Sequence, residues 1–225
     1  GRSAEAEAVL NELPAEAAER PGVRFRHMRV ALMQGRYGDA EAACQALAES
    51  GTDNPTVQHD LAFSQRCQRR ADAAESTLAR AVARFGPQTA LAVLQARVAM
   101  MQERGDAAIA FAEQALALDA ADSTAQGVYA LALFDDSRFD QAGAAAAHCL
   151  SADPDQHEAS LVHGTLALWR QELDVAQSAF ERALHRPAQS GRALSGLGQV
   201  LMLRNALPNA MSVLERATQA MPDHI

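Results

Sequence analysis

Seven histidines, three cysteines and 28 acidic residues are the side chains of this chain that could do chemistry, and their spacing withholds it. A metal site or a nucleophile–base pair built on a helix needs its members on one face, three or four residues apart. The nearest thing to a cluster is His157, Glu158 and His163. With about 3.6 residues per helical turn, the two histidines point to different sides. His27, His59, His185 and His224 form no stripe with them. Asp135 and Asp136 fall where a helix is expected to end, so they read as solvated, turn-forming acids and not as a general acid–base pair. Gly-x-x-x-x-Gly-Lys, Gly-x-Ser-x-Gly, Cys-x-x-Cys and His-Glu-x-x-His are all absent. Three cysteines close no paired framework, so Cys44, Cys67 and Cys149 are expected as buried or half-buried thiols of a reducing compartment. The expectation is a chain without catalysis, metal or cofactor.

Charge narrows the partners. The formal net charge is −8 and there is no lysine, which argues against non-specific nucleic-acid binding through phosphates. No run of about 18 apolar residues offers a membrane span. A removed leader would leave no trace. The thiols favour the cytoplasm, and the periplasm stays open. Abundant alanine and arginine without lysine hint at a GC-rich bacterial genome.

With no site of its own, the chain must be read by its elements. Ala40, Ala74, Ala108, Ala142, Ala176 and Ala210 are 34 residues apart throughout. Other columns keep that register. Four residues after each marker stand Cys44, Leu78, Ala112, Ala146, Phe180 and Leu214; seven after, Leu47, Ala81, Ala115, Cys149, Ala183 and Ala217. Twelve before it stand Met28, Ala62, Ala96, Ala130, Gly164 and Gly198. Self-similarity at this period means one supersecondary unit stacked many times, each copy with an apolar face it cannot bury alone. Small residues mark where helices cross, and the larger column (Leu78, Phe180, Leu214) fills space between units. Helix pairs are expected at 23–34 and 38–50, 56–68 and 71–84, 88–103 and 106–118, 123–135 and 139–151, 156–169 and 173–185, and 190–203 and 207–220. Asp106, Ser123, Asp140 and Ser190 are the expected caps.

The spacing, with the Gly164, Ala176, Phe180, Ala183, Pro187 series and the Leu197-Gly198, Ala210, Leu214, Ala217, Pro222 series, resembles the tetratricopeptide repeat family. The resemblance implies an all-α, right-handed superhelical solenoid of antiparallel helix pairs. It divides the chain into a leading helix and connector (1–22) and six repeats at 23–55, 56–87, 88–122, 123–155, 156–189 and 190–225. Residues 4–13 carry the second-helix pattern, with Ala6 in register. The chain is therefore expected to be a segment of a longer repeat protein, or one whose uncapped ends pair with another copy.

The same resemblance implies where a partner would lie. Members of the family bind peptides or extended segments along the inner groove lined by the first helix of each repeat. Carried onto this chain, that groove takes Phe25, Arg29, Leu32 and Met33; His59, Phe63, Arg66 and Cys67; Val93, Arg97, Met100 and Met101; Gly127, Leu131, Phe134 and Asp135; Leu161, Thr165, Leu168 and Trp169; and Arg192, Ser195, Gln199 and Met202. Phe63, Met100, Phe134 and Trp169 would form an apolar row, or pack into the core. Arg29, Arg66 and Arg97 would form a basic patch for a carboxylate or an acidic helix, or pair within the chain. The Lys and Asn clamp of the family's chaperone-binding members is missing, which argues against a chaperone co-factor.

The expected function is a protein-interaction scaffold or adaptor whose partner is a protein or peptide segment, amphipathic or acidic in character. Two alternatives stand beside it. One is a homo-oligomeric scaffold assembled by self-association of uncapped ends. The other is the repeat arm of a larger enzyme or export-machine subunit.

Overall fold

A computed structural model describes residues 2–12, 14, 20–185 and 191–220. Among these there are thirteen helices and no strand. The described residues up to Glu103 make one compact body, with α1 (Arg2–Asn11), α2 (Pro21–Met33), α3 (Tyr37–Glu49), α4 (Pro55–Cys67), α5 (Ala71–Phe85) and α6 (Thr89–Met101). The described residues from Arg104 onward make a second, with α7 (Gly105–Leu118), α8 (Ser123–Asp135), α9 (Phe139–Ala152), α10 (His157–Trp169), α11 (Leu173–Ala183), α12 (Gly191–Leu203) and α13 (Leu207–Ala220). Within each body successive helices pack as antiparallel neighbours. Ser190, Pro187, Pro222 and His224 lie outside the described residues.

The turn inside each pair follows the repeat. Gly35, Arg69, Glu103, Ser137, Gln171 and Asn205 all have φ between 57° and 72°, and they too are 34 apart. The left-handed residue lets the next N–H reach back five residues to a carbonyl in the helix that has just ended. Arg36 N–H donates to Ala31, Arg70 to Gln65, Arg138 to Leu133, Glu172 to Ala167 and Ala206 to Leu201, all at 2.9 Å. This turn overturns two of the expected caps. Asp106 and Asp140 sit within the first turns of α7 and α9, and the residues at the cap positions, Arg104 and Arg138, make no side-chain cap bond. The acids still meet a favourable helix dipole there. Side-chain caps appear instead where one pair passes to the next. Asn54 accepts from Val57 N–H at 3.0 Å, Asp122 (not Ser123) from Ala125 N–H at 2.7 Å, and Gln156 from Ala159 N–H at 2.7 Å.

The register columns form the core. Ala40, Ala74, Ala108, Ala142 and Ala176 are fully buried, as are Met28, Ala62, Ala96 and Ala130. Cys44 and Cys149 are buried thiols and Cys67 is half-buried, all three free. Burial, with Asp60 and Glu41 nearby, pushes the Cys44 thiol up to about 12. Ion pairs tie neighbouring repeats at the surface: Arg36 to Glu7 and Arg70 to Glu41 in the first body, and Arg138 to Asp106 and Arg204 to Asp174 in the second.

Candidate functional site

Three helices of the second body, α8, α10 and α12, each begin a repeat, and together they line a groove of about 290 Å³. The floor rests on Phe180 of α11, which is 1% exposed. Two glycines admit that ring. A Cβ on Gly164 of α10 would stand 2.9 Å from it, and one on Gly196 of α12 would stand 2.4 Å away. Val162 and Leu161 of α10 and Leu131 of α8 extend the apolar lining.

At one end three rings pack together. Phe134 ends near the last turn of α8, Phe139 opens α9, and Trp169 closes α10. The centroids of Phe134 and Trp169 are 5.3 Å apart, those of Phe139 and Trp169 5.0 Å in a T-shape, and those of Phe134 and Phe139 5.5 Å. Such geometry is favourable beyond the area it buries. Trp169 nonetheless leaves 55% of its surface exposed, as befits a side chain with apolar body and one N–H donor. The opposite wall is polar. Arg192, Ser195 and Gln199 line the groove from α12, at spacings that keep them on one face. Arg192 Nη1 reaches Asp135 at 3.3 and 3.5 Å.

Ten of the residues expected in a groove, Leu131, Phe134, Asp135, Leu161, Thr165, Leu168, Trp169, Arg192, Ser195 and Gln199, are thus brought together. Sequence reasoning misses Phe139, Phe180 and Gly196 as parts of this site. The family resemblance takes only certain positions of the first helices as lining, and Phe139 and Phe180 belong to second helices. Phe139 has a signal that could have found it, as an aromatic four residues beyond Asp135 at the start of the next helix.

The expected residues of the first body are not among those that line this groove. Arg29 Nη1 is 3.1 Å from a carboxylate oxygen of Asp60, a side chain 4% exposed that also meets His59 Nδ1 at 3.1 Å. A buried carboxylate needs such partners, so Arg29 is committed within the chain. Phe63 is half-buried against the core of α4 to α6, with Tyr37 edge-on at 6.2 Å and the Arg66 guanidinium 5.2 Å over its face. Phe25 packs against the α2–α4 core. Val93 is buried, and Arg97 and Met100 are half-buried on α6. Burial pushes the Cys67 thiol up, opposed by the Arg66 charge, the Tyr37 hydroxyl and the Arg97 charge. Of the anticipated row of arginines, Arg29 thus pairs with Asp60 and Arg66 lies over Phe63.

Residues 161–225 match the model of a tetratricopeptide repeat family. No curated protein matches the chain. Among solved structures, the chain is similar to one in the APC/C hetero-tetramer Cut9-Hcn1, with TM-score 0.77 and 13% identity over 99% of this chain and 44% of that one. It is similar to pilF of Pseudomonas aeruginosa, with TM-score 0.64 and 15% identity over 90% and 92%. It is also similar to a thermophilic TPR protein of Thermus thermophilus, with TM-score 0.62 and 16% identity over 76% and 93%. The chain thus spans under half the length of the first of these. Repeat arrays of this fold are in general non-catalytic scaffolds for protein–protein contact.

Proposed function

We propose that this tetratricopeptide-repeat chain is an interaction scaffold that holds a segment of a partner protein across α8, α10 and α12. The groove beneath Trp169 carries the proposal. It has a formed floor, an exposed aromatic rim and a polar wall, the composition of a binding hot spot. At about 290 Å³ it lies at the small end of small-molecule sites. That size suits one or two side chains of a passing segment better than a cofactor. Because Phe180 and its two glycines hold the floor in place, little order is lost when a partner arrives.

Affinity capture from cells tests this, comparing the native chain with a Trp169→Ala, Arg192→Glu variant and with an Arg84→Ala control away from the groove. Helical circular dichroism confirms that each is folded. A protein held by the native chain and the control but lost by the groove variant supports the reading. Equal capture by all three contradicts it.

A second reading, self-association, draws on a different surface. Met202, Leu203, Leu207 and Met211 of α12 and α13 are 52–64% exposed. A mass that rises with concentration, and falls back in a Leu207→Glu, Met211→Glu variant, would support it.

A further inference from the structure

The contact between Arg192 and Asp135 spans the groove, joining residues 57 apart, whereas Arg138–Asp106 and Arg204–Asp174 join residues 32 and 30 apart. It is a poor pair by every physical measure. Its 3.3 and 3.5 Å separations exceed the roughly 2.7–2.9 Å of a charge-assisted hydrogen bond. A single nitrogen, Nη1, faces both oxygens, although a guanidinium can offer a carboxylate two parallel N–H groups. The two side chains are 59% and 28% exposed, so water screens their attraction. Asp135 is also the last residue of α8, where the outward carbonyls repel an anion.

We propose that Asp135 is a displaceable occupant of Arg192, and that the partner segment enters by supplying an acidic side chain in its place. This rests on the groove reading above. The incoming glutamate or aspartate takes the guanidinium through two nitrogens, and an apolar neighbour on the same segment seats against Trp169. Ser195 and Gln199 continue the stripe with donors for the rest of the segment. From Arg192 to Gln199 is about 10 Å along a helix, the reach of about three extended residues. The occupant is therefore a short amphipathic acidic stretch, and the free chain keeps the site covered with its own weaker carboxylate.

Trp169 is the only tryptophan, so its fluorescence reports the groove directly. The probes are end-blocked peptides with one central glutamate flanked by leucines, and matched peptides with glutamine or lysine at the centre. Blocking the ends removes any terminal carboxylate. The glutamate peptide is expected to bind about ten-fold or more tighter than the glutamine one. Asp135→Asn should tighten it further, up to about five-fold, and Arg192→Gln should erase the preference for glutamate. Equal binding of the glutamate and glutamine peptides, tighter binding of the lysine peptide, or weaker binding to Asp135→Asn overturns the exchange and leaves the groove reading standing. A Trp169 signal that none of the peptides moves overturns both.

Discussion

Phe180 reaches the floor of the groove only because Gly164 and Gly196 lack side chains. Gly196→Ala places a methyl 2.4 Å from the ring, closer than any real contact, and the ring is walled in by α10 and α12. The expected cost is about 1–3 kcal/mol, read as a lower melting temperature. An unchanged melt would mean that the ring shifts freely, and the floor would then not be the rigid feature described. Glu41 gives a test by pH. Burial alone would raise its carboxyl, but hydrogen bonds from Gln68, Gln65 and Arg70, with the Arg70 charge, outweigh it and hold the group below its ordinary value. A depressed carboxyl contributes stability above its unfolded value and loses it as pH falls through the folded one. Glu41→Gln should therefore cost about 1 kcal/mol at neutral pH, and the cost should fade in acid as the native carboxylate protonates. Urea unfolding at both conditions measures it; an equal penalty in acid would contradict the assignment. Ala176 and Ala183 are legible as core from the 34-residue register, because a column of small residues has one packing meaning, and Phe180 is legible from the larger column that fills the space between units. Gly196 was not, since it lies outside the register columns and its role depends on which ring faces it.

At the scale of elements, the turn inside each pair makes a sharp prediction. Ser137 holds φ at 64° where Gly35 of the first pair holds 72°. A side chain in that left-handed region is strained, and glycine relieves the strain at an entropic cost. Ser137→Gly should raise stability by roughly 0.5–1 kcal/mol, and Gly35→Ala should lower it by a similar amount. Paired thermal melts decide, and a stabilising Gly35→Ala would show that the turn tolerates either geometry. Helix positions were readable beforehand: α8 runs Ser123–Asp135, the span its apolar pattern and flanking turn residues indicate. The caps were less readable. Among the turn residues inside the pairs, Gly35 announces itself by type and Asn205 less strongly. Arg69, Glu103, Ser137, Gln171 and Asn205 take that conformation because the repeat demands it, and this displaced Asp106 and Asp140 from the cap role.

For the whole molecule, the family resemblance implies candidate lining residues along all six first helices, but it does not say which of them the chain uses itself. Arg29 was absorbed by Asp60, a buried acid whose need for a partner is invisible without the neighbouring helix. Trp169, at the end of α10, keeps more than half of its surface exposed. Among the described residues, a groove beneath Trp169 is lined from α8, α10, α11 and α12. The most direct test of that assignment is backbone hydrogen exchange on the chain alone and bound to the protein it captures from cells. Added protection concentrated in 127–135, 161–169 and 192–199 is the result predicted. Protection confined to α2–α6, or to the second helices of the repeats, with those three stretches unchanged, would contradict the groove as the binding site.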